Sequence, residues 1–134
     1  MPNDKPMQFI KVTCIPDSAM FRAFMVPGGF EVELTQTGNV WVAIHKETGV
    51  SGFDYDKQKA LENCLIDFAC CYHQIAEESD EKLTEDARKL KQKLLAVELN
   101  ILDLPTFVDR LAHEQIDLEP EITRMVDENF WDLL

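Results

Sequence analysis

The sequence predicts an α+β fold: a small antiparallel β-sheet of three to four strands, packed by one long helix and followed by a helical, acidic C-terminal region. Three observations predict it. Apolar residues alternate with polar ones between Phe30 and Ile44, the period of a half-buried strand. They then recur at four- and three-residue steps from Leu61 to Ile75, the period of an amphipathic helix. Beyond that, Thr84, Pro105 and Pro120 mark three further helix starts. Residues 1–80 read as the sheet-and-helix core and residues 81–134 as a helical extension packed on it as one domain.

The elements follow in order. Gln8 to Ile15 is rich in β-branched and apolar residues and reads as a strand ended by Pro16. Ser18 to Val26 fits either a short helix capped by Asp17 or a buried strand. Pro27-Gly28-Gly29 reads as a turn. In the strand after it, Phe30, Val32 and Leu34 share one face. A Gly38-Asn39 loop leads into a second alternating run, with Val40, Val42 and Ile44 as its apolar face, so the two form a hairpin whose register the valines set. This places His45 toward solvent. Val50 to Tyr55 adds a third strand after another turn.

Asp56 caps a helix from about Lys57 to Glu78, with Leu61, Leu65, Phe68, Tyr72 and Ile75 as its stripe. Thr84 caps the next helix, where Leu83, Ala87, Leu90, Leu94, Val97 and Ile101 form a heptad-like seam. Pro105 ends that helix and starts another. Pro120 starts the last, which runs to Leu134 with Ile122, Met125, Val126, Phe130 and Leu133 on one face.

The stretch from Phe30 to Glu78 resembles the core of the HicB-like antitoxin family. The resemblance rests on Gly38 and Asn39, on Trp41 to Ile44, on Gly49 to Gly52, and on the helix start Ala60-Leu61-Glu62-Asn63. It implies a partial RNase-H-like scaffold that binds a protein and cuts no nucleic acid.

Charge points the same way. Lys plus Arg number 13 against 25 Asp plus Glu, a net of −12. From Glu98 onward, two arginines face ten acids. Direct nucleic-acid binding needs clustered cations, so the expected partner is a basic protein. Nothing reads as a membrane span or a signal peptide. Cys14, Cys64, Cys70 and Cys71 make a poor disulfide framework, which points to the cytoplasm. Cys64, Cys70, Cys71 and His73 lack the paired spacing of a zinc site. No cysteine is placed beside a histidine as a nucleophile, Asp54 and Asp56 read as turn and cap, and neither a phosphate loop nor a nucleophile elbow is present. The expectation is no enzyme, no metal and no cofactor.

What remains is surface. The acidic C-terminal third carries the apolar anchors Phe107, Leu111, Ile116, Leu118, Ile122, Met125, Phe130 and Trp131. The expected partner-binding residues are Glu119, Glu121, Asp127, Glu128, Phe130, Trp131, Asp132 and Leu134. The favoured function is an antitoxin-like module that neutralises a basic protein. The alternatives are a phage-type inhibitor whose carboxylates imitate nucleic acid, an enzyme of unrecognised type, or, for the tail, docking on its own core or on a second copy of the chain.

Overall fold

Alternation along the strands and a close helix approach shape the first part of the fold. The computed structural model describes residues 7–130. Among these, β1 (Met7–Asp17), β2 (Arg22–Thr37), β3 (Val40–Ile44) and β4 (Ser51–Asp54) lie in the order β1-β2-β3-β4, and β5 (Asn100–Asp103) also pairs with β2. The β2–β3, β3–β4 and β2–β5 pairs are antiparallel. Four α-helices accompany them: α1 (Lys57–Cys71), α2 (Glu85–Leu95), α3 (Leu104–Ala112) and α4 (Pro120–Asn129). The class is therefore α+β. No described helix is long and apolar enough to cross a membrane.

The chain divides into two compact units. The first comprises residues 1–10 and 31–97, the second residues 11–30 and 98–134. α2 falls in the first unit, and residues 11–30 join the C-terminal helices in the second.

In the first unit, α1 packs on β3 and β4. Leu34 pairs with Ala43, and Ala43 with Gly52, so the three form one row across the sheet. A Cβ on Gly52 would collide with the α1 backbone, including the Ala60 carbonyl oxygen at 2.7 Å. The row therefore faces the helix, and at Gly52 no side chain fits beneath it. This corrects the reading of β3. The buried face carries Ala43, with His45 just beyond the strand, while Val40, Val42 and Ile44 point the other way. His45 is 4% exposed rather than solvent-facing.

The Asp56 carboxylate caps α1, accepting the Lys59 N–H at 3.1 Å. The α-helix stops at Cys71 and a π turn over Tyr72–Ala76 prolongs it. Leu61, Leu65, Phe68 and Tyr72 are buried as expected, with Ala76 rather than Ile75 closing the stripe. Two side chains of α1 cover the outer edge of β4. Asn63 donates to the Phe53 carbonyl at 3.1 Å, and Asp67 accepts the Ser51 N–H at 3.1 Å. Thr84 caps α2, accepting the Ala87 N–H at 3.2 Å.

In the second unit, Ser18–Met20 is a single 3-10 turn, and Arg22–Val26 is strand. Asp17 makes no cap and instead pairs with Arg22 at 2.8 Å. The expected turn at Pro27-Gly28-Gly29 is absent, because β2 runs through it. Gly29 has φ +86°, and the Lys11 side chain lies where its Cβ would be. Residues 22–25 are held by β5 and residues 33–37 by β3, so pairing overrides local turn preference. The heptad-like seam also breaks. α2 ends at Leu95, and Ile101 belongs to β5, where it pairs with Phe24.

Candidate functional site: an acid-rimmed groove

The second half of the second unit begins with a cap. Asp103 ends β5 and accepts the Thr106 N–H at 2.9 Å at the start of α3. That hydrogen bonding from Thr106 pulls the Asp103 carboxyl below its usual range. Pro105 stands in the first turn of α3 and Pro120 in that of α4, where a missing N–H costs nothing. Phe107 of α3 and Phe130, which closes α4, meet edge to face with centroids 5.6 Å apart. Ile122, Met125 and Val126 are buried with them.

The link between α3 and α4 opens a groove. Glu114 takes φ +56°, a conformation usually left to glycine, and turns the chain out of α3. The Gln115 N–H closes this turn onto the Arg110 carbonyl at 2.9 Å. Beside the turn lies a groove of about 430 Å³. Val108, Leu111, Ile116, Leu118 and Val126 form most of its lining, and Asp117 and Asp127 are exposed at its edge. Its size is that of a ligand cleft, but its walls are largely aliphatic.

The expected partner-binding residues separate into four groups. Asp127 and Glu128 are exposed on α4, and Asp127 borders the groove. Glu121 is half-buried. Phe130 and Glu119 make contacts within the unit. Phe130 is 1% exposed and its ring is packed against Phe107. Glu119 spends its carboxylate on β1, accepting the Thr13 N–H at 3.1 Å and its hydroxyl at 2.9 Å. Both hold the unit together. Trp131, Asp132 and Leu134, like Leu133, lie outside the described residues.

Leu111, Ile116 and Leu118 stand out in sequence as apolar anchors, but their convergence does not. It depends on Glu114, which no sequence rule marks as a turn residue. A further surface went unsuspected: the face of the sheet opposite α1, where Phe9 and Phe53 lie exposed.

Cys14, Cys64 and Cys71 sit where a thiolate is disfavoured. Burial raises the Cys14 and Cys64 thiols to about 12, and the charges of Glu119 and Asp67 respectively add to this. Cys71 rises to about 11 through burial and Asp67. A thiol so raised is not a nucleophile near neutral pH. Among the described residues, no three His, Cys, Asp or Glu side chains are grouped to hold a metal. Compared with protein-family models, with curated proteins and with solved structures, the chain matches none.

Proposed function

We propose that this chain is a non-enzymatic protein-binding module that docks a basic protein and neutralises it, in the manner of an antitoxin. The groove between α3 and α4 carries this reading. It combines an aliphatic floor with Asp117 and Asp127 at the edge, within a stretch of ten acids and two arginines from Glu98 on. Charge of this kind accelerates encounter with a cationic partner, and burial on the floor supplies holding energy. The order β2, β3, β4, α1 follows the pattern on which the HicB-like resemblance rests, which supports a scaffold role. An imitation of nucleic acid needs carboxylates in phosphate-like positions and has no use for an apolar floor, so the groove favours a protein partner. A cytoplasmic setting belongs to this reading, on the strength of four free cysteines.

Affinity capture from the native host with three forms tests it: the full chain, Leu111→Asp, and Asp117→Lys combined with Asp127→Lys. All three sites are at least partly exposed, and a thermal melt of each form checks that it folds. The full chain retains a basic protein, Leu111→Asp retains at least about tenfold less, and the charge-reversed form loses its salt-sensitive association. Equal retention by all three forms, or retention of an acidic protein, sinks the proposal.

A further inference from the structure

We infer that the face of the sheet opposite α1, in the first unit, is a second docking surface, and that its occupant is an amphipathic helix of a basic protein, with Lys or Arg at one end of its apolar stripe. The inference shares the protein-binding reading above but rests on different residues in a different unit.

The row Leu34–Ala43–Gly52 faces α1, so strand alternation turns the next row, Thr35–Val42–Phe53, outward. Glu33, Ile44 and Ser51 form another outward row. Phe53 is 71% exposed and Phe9 is 55% exposed. Contiguous apolar groups open to water mark an interaction surface.

Charge identifies the occupant. Beside Ile44 the face dips into a pit of about 60 Å³, walled by Phe9 and Ile44 and bordered by Glu31, Glu33, Lys46 and Glu47. Lys46 Nζ stands 2.7 Å from Glu33 Oε2. The approach is off-axis, so that buried oxygen has an ion pair without a directed hydrogen bond. Three carboxylates against one ammonium leave the pit negative. An aliphatic stem fits against Phe9 and Ile44 while its cationic head meets the carboxylates. A second copy would bring the same carboxylates, and another net charge of −12, against them. Spacing suits a helix. Ile44 and Val42 are two strand residues apart, about 7 Å. Positions i and i+4 on a helix are about 6 Å apart. A cation at i above the pit therefore sets an apolar residue at i+4 on the Val42–Phe53 row.

The test uses a soluble helical peptide of about sixteen residues, with a leucine stripe and one Arg four residues before a Leu, and a control with Glu for that Arg. Residue-resolved NMR of the full chain follows the titration, with Phe53→Glu as a variant whose thermal melt checks folding. The expected shifts centre on Phe9, Val42, Ile44 and Phe53. The Glu control and Phe53→Glu both weaken binding at least about tenfold. Shifts confined to Leu111, Thr123 and Val126 overturn this inference and leave the groove reading standing. Equal binding by both peptides overturns it too, as unspecific adhesion. Shifts at the same four residues on concentrating the chain without peptide assign the face to a second copy and overturn it. Failure of the groove itself is read separately, from Leu111→Asp.

Discussion

His45 sits where β3 gives way to the turn before β4. Its N–H reaches the Val50 carbonyl at 2.9 Å, its carbonyl accepts the Gly49 N–H at 2.7 Å, and its Nδ1 lies 2.7 Å from the Thr48 hydroxyl. Burial pushes its pKa below the usual imidazole value, against a weaker upward pull from Glu47. The folded state thus prefers the neutral ring. Between the lowered value and about 6.5, the unfolded chain binds more protons, so stability rises with pH there. Denaturant titrations of the native chain, from about pH 7.5 to about 5.5, are expected to show a loss that His45→Gln flattens, since glutamine keeps a partner for Thr48. An unchanged slope in the variant removes His45 from the account. This residue was misread in sequence for a physical reason. Alternation gives two faces but not which one is buried, and the valine-rich face looked the more apolar. The choice was made by Gly52, two strands from Leu34, whose missing side chain lets α1 approach the other face.

At the level of elements, that approach is itself a test. Gly52→Ala sets a methyl group against the α1 backbone, which cannot yield as a side chain tip does. The expected cost is about 3 kcal/mol, read by chemical denaturation, with α1 losing amide protection first. A cost below about 0.5 kcal/mol would mean that α1 does not seat on Gly52. Helix starts were the most legible elements, since Asp56, Thr84, Pro105 and Pro120 each act within one turn of the chain. Strands without local partners were not. β5 was hidden in a helical seam because Ile101 continues the period of α2, and only β2, far away in sequence, pulls it into a sheet. β2 likewise runs through Pro27 to Gly29 as strand, where the local sequence reads as a turn.

For the whole molecule, charge is the property most directly read from sequence, and it is concentrated from Glu98 onward. Self-repulsion from a net charge of −12 opposes compaction, whereas the same charge would attract the basic partner proposed above. Raising salt from about 20 to about 300 mM is therefore expected to lift Tm by a few degrees and to weaken the proposed association with a basic protein. A parallel fall in both contradicts the charge account. The groove itself was only half legible, because apolar anchors can be counted in sequence but their meeting point needs the turn at Glu114. One feature bears on how the molecule behaves in a crowd. Strands at sheet borders usually invite neighbours to add strands of their own. Here Asn63 and Asp67, one helical turn apart, already occupy the Phe53 carbonyl and the Ser51 N–H. At that border, α1 stands in the way of strand addition and so of filament growth along β4, while the sheet's broad side stays open.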